Sequence, residues 1–319
     1  MEELKKSAKV TLIECLGVKK GEAVLIVSDK PLRDLGLIFF EEAEKLEAEV
    51  FYLEIIPREN HGVEPPDAVA EAMKKADAVL LITSKSLSHT AARKRACEMG
   101  ARVASMPGIT PEMMARTLSV GYRDIAENCR KCAEWLKGAK KVHLKTAAGT
   151  DLKFSIEGRE IAVDTGILHS PGDFGNLPAG EVFVAPVEGS AEGVLVVDGS
   201  MAGIGVLEEP IKMEVRGGYV VNIAGGGSAE SLKKILDRYG KDARNIAELG
   251  IGLNPRAKLS GFVLEDEKVL GTVHIALGDN STFGGKVSVP SHLDGVILNP
   301  TLLFDGEIFM EDGRIIPKL

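Results

Sequence analysis

Histidine and acidic residues in the second half of the chain are spaced in a way that suits a metal site. Among the six histidines, His292 is followed two positions later by Asp294, and His274 lies in an apolar, strand-like segment. Residues two apart on an extended chain point to the same face, so His292 and Asp294 can direct an imidazole and a carboxylate at one point. A hydrogen-bonded pair on the surface is the other interpretation of this motif.

Two glutamates lie in apolar sequence with no lysine or arginine beside them. Glu181 is part of GEVFVAP, and Glu248 is part of NIAELGIG. A buried carboxylate must be paired, protonated or bound to metal, because an unpaired buried charge is costly. With His274, His292 and Asp294, the two glutamates offer five oxygen and nitrogen ligands. Such a set suits one five-coordinate ion or two ions that share a carboxylate.

These segments resemble the aminopeptidase T / aminopeptidase S family of dinuclear metallopeptidases. The matching pieces are NLPAGEVFVAP (176–186), NIAE (245–248), HIALG (274–278) and HLD (292–294), which occur in the order of the family. The resemblance implies that two divalent ions, such as zinc, cobalt, manganese or magnesium, bind to Glu181, Glu248, His274, His292 and Asp294. It also implies a homodimer that removes N-terminal residues from peptides.

The resemblance leads to a hypothesis for the reaction. Two ions would polarise the scissile carbonyl of a peptide and lower the pKa of a bound water from about 15.7 toward about 7. Glu181 is the predicted catalytic residue, a carboxylate that contacts metal and also steers the proton from the attacking water.

Two departures from the family keep other functions open. The family has a tyrosine seven positions after its first ligand histidine, where this chain has Ser281, and the segment from His274 to His292 is shorter here. A second branch of the superfamily is similar to mononuclear iron dioxygenases that open a dihydroxypyridine ring, for which His274, His292 and Asp294 would hold iron(II). A third hypothesis is a dimer that binds metal without catalysis.

A polar segment in the first half is a second candidate site. Ser86, His89, Thr90 and Arg93 follow a predicted strand, at the position where open α/β sheets bind ligands. These side chains are predicted to contact a substrate carboxylate or another subunit. The alternative is that Thr90 only caps the helix that begins there.

Two further motifs have structural interpretations. The run Glu265–Lys268 is predicted to be a solvated turn, and the alternative is that Glu267 supports His274 from outside the ligand set. Cys129 and Cys132 form a CxxC motif without a second one to complete a zinc site. They are therefore predicted to be structural residues on a helix.

The first half alternates short apolar strands with helices. Helices are predicted over 2–16, 32–46, 65–75, 90–99, 111–118 and 122–137, and strands over 23–27, 50–56, 78–82 and 101–106. This alternation predicts an α/β domain, residues 1–138, with a mostly parallel sheet covered on both faces.

From residue 139 the pattern changes to paired strands, glycines and tight turns. Strands are predicted over 142–146, 152–156, 182–187, 193–197, 211–215, 219–223, 261–264, 272–277, 295–298, 301–304, 307–309 and 314–317, with one helix over 229–239. Residues 139–319 are therefore predicted to form a β-rich α+β domain that binds the metal and carries out catalysis.

Composition restricts the partners. The formal net charge is −8 and aromatic residues make up 5% of the chain, which argues against nucleic acid and anionic membranes as partners. The opening MEELKK is polar and no window approaches about 18 uninterrupted apolar residues. We therefore expect a cytoplasmic protein that acts on a peptide or small molecule. Glutamine is absent while Lys and Glu are plentiful, a bias typical of proteins from hot environments.

Overall fold

The computed structural model describes residues 1–318. Within that range, none of the helices combines the length and the apolar character needed to cross a membrane. Fifteen of the sixteen predicted strands and all seven predicted helices overlap an observed element of the same type, and the predicted fold class is confirmed.

The first part of the chain alternates helices and strands. Its helices are α1 (Glu2–Val10), α2 (Arg33–Lys45), α3 (Asp67–Met73), α4 (Ala91–Glu98), α5 (Pro111–Thr117) and α6 (Tyr122–Leu136). Its strands are β1 (Ala23–Asp29), β2 (Glu49–Ile55), β3 (Ala78–Ile82) and β4 (Arg102–Ser105). The predicted first helix is shorter than expected because its last turn, Thr11–Cys15, is a π-helix.

The second part is dominated by strands. They are β5 (Lys141–Lys145), β6 (Asp151–Ser155), β7 (Ala162–Asp164), β8 (Phe174–Asn176), β9 (Glu181–Val184), β10 (Glu192–Val197), β11 (Ser200–Met201), β12 (Gly205–Val206), β13 (Ile211–Arg216), β14 (Tyr219–Ala224), β15 (Ile246–Gly252), β16 (Val273–Gly278), β17 (His292–Ile297), β18 (Thr301–Phe304), β19 (Glu307–Glu311) and β20 (Arg314–Ile315). Two α-helices, α7 (Gly227–Leu236) and α8 (Val263–Asp266), and a short 3-10 helix at Lys241–Arg244 interrupt them.

The strands form three sheets. The parallel sheet has the order β2-β1-β3-β4-β8, an eight-stranded sheet has the order β14-β13-β10-β6-β5-β18-β19-β20, and a seven-stranded sheet has the order β12-β11-β17-β16-β15-β9-β7. The parallel strands are apolar runs such as AVLLI in β3, which is buried along its whole length, because helices cover such sheets. The seven-stranded sheet carries the predicted metal ligands.

The packing groups the chain into two compact units. One contains Met1–Ala126 and Asp164–Ala179, and the other contains Glu127–Val163 and the chain from Gly180 onward. The predicted domains 1–138 and 139–319 are separated by one boundary in the sequence, and this division stays a prediction. The grouping differs from it because β8, which is distant in sequence, pairs with β4 and completes the parallel sheet.

One predicted strand is wrong. Residues 261–264 were expected to be extended, but Val263 begins helix α8. The segment was misjudged because FVL is apolar and β-prone, whereas hydrogen bonds from the backbone to Asp266 fold it into a turn.

Candidate metal centre

Four neighbouring strands of the seven-stranded sheet bring the five predicted ligands to one face. Glu181 is on β9, Glu248 on β15, His274 on β16, and His292 and Asp294 on β17. Directly paired residues of antiparallel strands share a face. On this face each predicted ligand is paired with glycine or alanine: Glu181 with Gly252, His274 with Gly250, Glu248 and Asp294 with Ala276, and His292 with Gly278. Small partners leave room for the five side chains to converge.

Glu248 lies between the two histidines. Its Oε1 is 3.3 Å from Nε2 of His274, and its Oε2 is 3.5 Å from Nε2 of His292. Nε2 of His292 is also 3.3 Å from Oδ1 of Asp294. One atom each of Glu248, His292 and Asp294 lies within 4.8 Å of the others, close enough for one ion to contact all three.

Glu181 is held by a residue that was not predicted to belong to the site. Its Oε1 accepts a hydrogen bond of 2.7 Å from Nζ of Lys268, while its Oε2 is 3.5 Å from Nε2 of His274. Nζ of Lys268 also donates to Glu267, and the Lys268 side chain is 1% exposed. Glu181, Glu267 and His274 form a second group of side chains that could hold an ion, but the ammonium group already contacts both carboxylates of that group.

The prediction of a solvated turn over Glu265–Lys268 is wrong. Glu265 and Asp266 are buried because their carboxylates accept backbone hydrogen bonds, from Lys258 to Glu265 at 2.9 Å and from Ser260 to Asp266 at 2.6 Å. These contacts fix the turn that directs Lys268 into the site. Glu267 is connected to the site because it accepts from Lys268, which also contacts Glu181. This agrees with the alternative in which Glu267 supports the site from outside the ligand set.

The loop between β16 and β17 orients His292. Its Nδ1 donates to the backbone carbonyl of Asp279 at 2.8 Å, so Nε2 is the nitrogen left to bind a ligand. The Asp279 carboxylate accepts from the backbone of Val289 at 3.0 Å and from the hydroxyl of Ser281 at 3.1 Å. Ser281, at the position of the family tyrosine, therefore helps to fold this loop.

The carboxylates hold both histidines in the protonated state when no metal is bound. Burial alone lowers the pKa of His274, but the hydrogen bond to Glu248 and the charges of Glu181 and Glu248 outweigh it and raise the pKa to about 9. Burial is likewise outweighed at His292, whose pKa rises to about 10 beside Asp294. Burial raises the pKa of Asp294, yet the opposing effect of His292 is larger and holds it well below its usual range.

Gly250 makes room for His274. A Cβ atom at Gly250 would stand 1.9 Å from Nε2 of the imidazole and 2.1 Å from its Cε1. The Nε2 end of the ring therefore occupies the space that a side chain at position 250 would fill. This arrangement and the convergence of nitrogen and carboxylate donors fit a divalent metal ion.

We expect Gly250→Ala to displace His274 and weaken metal binding, because the added methyl group overlaps the ring. Overpacking of this kind costs about 1–3 kcal/mol of folding stability. Calorimetric titration with Mn²⁺ and thermal unfolding measure the two effects. Gly227→Ala is the matched control, because its Cβ meets nothing within 4 Å. Unchanged Mn²⁺ affinity in Gly250→Ala would show that the position of His274 does not matter.

Aromatic rings border the more open end of the site. Phe283 contacts Phe183 edge to face at a centroid distance of 5.5 Å, and it contacts His292 at 6.0 Å. The His292 side chain is 32% exposed, whereas that of His274 is fully buried. A substrate can therefore approach from the side of His292 and Phe283.

The candidate residues of the first half lie in the other compact unit and have local contacts. Thr90 caps α4 by accepting from the backbone of Arg93 at 3.2 Å. The Arg93 side chain donates to the Ser88 carbonyl at 2.6 Å and stacks on Phe174 at 4.0 Å. The Ser86 hydroxyl accepts from the backbone of Ser88 at 3.2 Å. These contacts agree with the capping alternative. Contact of Ser86, His89, Thr90 and Arg93 with a substrate stays a prediction.

The CxxC cysteines are buried on α6. Burial raises the pKa of Cys132 to about 12, which opposes formation of the thiolate that a metal requires. This agrees with the structural interpretation of the motif.

Comparisons of sequence match this chain to two kinds of enzyme. A sequence model of the family described as NicX: 2,5-dihydroxypyridine 5,6-dioxygenase matches residues 4–317. The 2,5-dihydroxypyridine 5,6-dioxygenase of Pseudomonas putida is 26% identical over 307 residues, which cover 86% of this chain and 85% of that protein. Aminopeptidase T of Thermus aquaticus is 31% identical over 197 residues, which cover 54% of this chain and 46% of that protein.

Two solved structures match nearly the whole chain. The 2,5-dihydroxypyridine dioxygenase structure from Pseudomonas putida KT2440 has a TM-score of 0.84 at 23% identity and covers 99% of this chain and 97% of that one. Wild-type AmpT from Thermus thermophilus has a TM-score of 0.72 at 20% identity, with 99% of both chains covered. Both likenesses show a shared fold.

Proposed function

Because the chain belongs to the 2,5-dihydroxypyridine 5,6-dioxygenase family along residues 4–317, we propose that it is an iron-dependent oxygenase that opens the ring of a dihydroxylated pyridine. The predicted resemblance to aminopeptidase T is confirmed at the level of fold and homology. The family model that matches the chain, however, is that of the dioxygenases. The observation that carries the proposal is the convergence of His274, His292 and Asp294 on one face of the sheet.

Two histidines and a carboxylate are the donor set of many non-haem iron(II) oxygenases. In our proposal His274, His292 and Asp294 hold the ion, with Glu248 between the histidines. When bound, iron(II) supplies the redox chemistry by which dioxygen reacts with the ring.

The protein's own groups then orient the ion's ligands and the substrate. Asp279 fixes the ring of His292 through its backbone carbonyl. Phe283 and Phe183 form an aromatic wall beside His292, and aromatic side chains pack well against a planar heterocycle.

A metallopeptidase is the second candidate, favoured by the 31% identity to aminopeptidase T. It requires two ions and a basic Glu181. Lys268 opposes both requirements, because an ammonium bound to Glu181 weakens the carboxylate as a base. A divalent ion about 4 Å from that ammonium would also be repelled by roughly 8 kcal/mol at an effective dielectric constant of about 20. Zinc as the metal, hydrolysis, the homodimer and the cytoplasmic location stay predictions, as does metal binding without catalysis.

We expect protein loaded anaerobically with iron(II) to contain one iron per chain. On addition of oxygen it should consume one O₂ for each molecule of 2,5-dihydroxypyridine, and labelled ¹⁸O₂ should place both oxygen atoms in the products. An oxygen electrode and mass spectrometry measure these quantities. The zinc-loaded protein is the control and should consume no oxygen.

The same preparations distinguish the alternatives. Hydrolysis of unblocked peptides by the zinc, cobalt or manganese form, together with no oxygen uptake by the iron form, would replace the proposal with the peptidase. Absence of both activities in protein that binds iron would favour metal binding without catalysis or a different substrate ring, and a panel of hydroxylated pyridines separates these two outcomes.

A further inference from the structure

The ammonium group of Lys268 lies where a second metal ion of a dinuclear site would need to bind. Two groups of potential ligands lie side by side, one made of Glu248, His292 and Asp294 and the other of Glu181, Glu267 and His274. Nζ of Lys268 contacts both glutamates of the second group. We infer that Lys268 is a built-in cation that restricts the centre to one metal ion. This rests on the proposed function, in which a single iron is used.

The charge of Lys268 cannot easily leave this position. The Lys268 side chain is 1% exposed, and that of Glu181 is 8% exposed, so solvent screens their attraction little. Separating the pair would leave a buried carboxylate and a buried ammonium without compensation, which is strongly unfavourable. The ammonium therefore remains beside Glu181 whether or not the neighbouring group holds an ion.

The backbone around Lys268 is fixed as well. The Lys268 carbonyl accepts from the backbone of Asn254 at 2.8 Å. A Cβ at Gly252 would stand 2.1 Å from the carbonyl oxygen of Val269, so only glycine lets this segment approach β15 so closely. The sheet strand that carries Glu248 thus also determines where Lys268 enters the site.

Contact with Lys268 gives Glu181 a different role from the predicted one of metal ligand and catalytic residue. One Glu181 oxygen accepts from the ammonium, and the other lies 3.5 Å from Nε2 of His274. Glu181 therefore links Lys268 to the imidazole, as a residue that positions His274 electrostatically. Lys268 and Glu181 are positioning residues, and the single ion is held by His274, His292 and Asp294.

Manganese titration of the full-length protein tests this inference. At saturation we expect the wild-type protein to bind one Mn²⁺ per chain, with the EPR spectrum of an isolated ion. Lys268→Met removes the charge with little change of volume and should bind a second Mn²⁺ at the two carboxylates that the ammonium contacts, Glu181 and Glu267, with the spectral broadening of two nearby ions. Lys268→Arg keeps the charge and should bind one. Lys258→Met, at an exposed lysine of the same segment, is the matched control.

The wild-type titration decides the matter even if Lys268→Met does not fold. Two Mn²⁺ per wild-type chain would overturn the inference, as would a folded Lys268→Met that still binds one. Loss of the only ion in Glu181→Gln would also overturn it, because Glu181 would then be a ligand. Oxygen uptake is measured separately: one ion without ring opening would refute the proposed reaction and keep the inference, whereas two ions with ring opening would do the reverse.

Discussion

Asp294→Asn should lose its metal ion and, with it, ring-opening activity, by more than about 100-fold. A loss of 10–100-fold is usual when a residue that merely supports a ligand is replaced, and a direct ligand should exceed it. Asp294 is 5% exposed, and its pKa lies well below the usual range because of His292, which outweighs the effect of burial. The carboxylate is therefore anionic at any working pH, and asparagine removes the charge while keeping the shape.

Metal content by elemental analysis and oxygen uptake by the iron form measure the effect. Asp312→Asn is the matched control, because Asp312 is an exposed residue in the turn between β19 and β20. Its positive φ of 45° is also tolerated by asparagine. A variant Asp294→Asn with full iron content would remove Asp294 from the ligand set. The remaining candidate carboxylate would then be Glu248.

Part of the site could be predicted from the sequence, because on an extended strand the local pattern alone determines which face a side chain points to. His292 and Asp294 are two apart, and β17 is extended, so they share a face as expected. The buried strand β3 was predicted with its observed bounds because AVLLI is apolar throughout. By contrast, β15 was missed because glycine and a charged residue interrupt its apolar run, and only its two partner strands make it extended.

Lys268 could not be predicted, because its role depends on contacts between distant parts of the chain. The run EDEK is composed of charged residues only, and such runs are usually exposed. Its burial results from backbone N–H groups at Lys258, Ser260 and Gly261, which satisfy Glu265 and Asp266. Glu181, its partner, is 87 positions earlier in the chain. No sequence-spacing rule connects residues that far apart. The number of ions depends on Lys268, so it could not be predicted from the ligand residues alone.

Metal binding should depend steeply on pH. A metal ion requires neutral imidazoles, but in the metal-free protein the carboxylates raise the pKa of His274 to about 9 and that of His292 to about 10, against the effect of burial. Both rings are therefore protonated at pH 7, and the ion must displace about two protons. Below pH 9, each unit of pH should raise the apparent affinity by up to about 100-fold. The dependence should weaken between pH 9 and 10 and vanish above.

Calorimetric titration with Mn²⁺ in buffers of different ionisation enthalpy counts the released protons directly, and titrations at pH 6, 7 and 8 give the slope. His292→Gln should release about one proton per ion fewer, since only His274 then titrates. The control is Asp151→Asn, because Asp151 is paired with His143 outside the metal site. This variant should leave the number of released protons unchanged. Release of no protons at pH 7 would mean that the histidines are already neutral. With neutral histidines, the negative charge of Glu248 would have no imidazolium partner, and another cation would have to balance that charge.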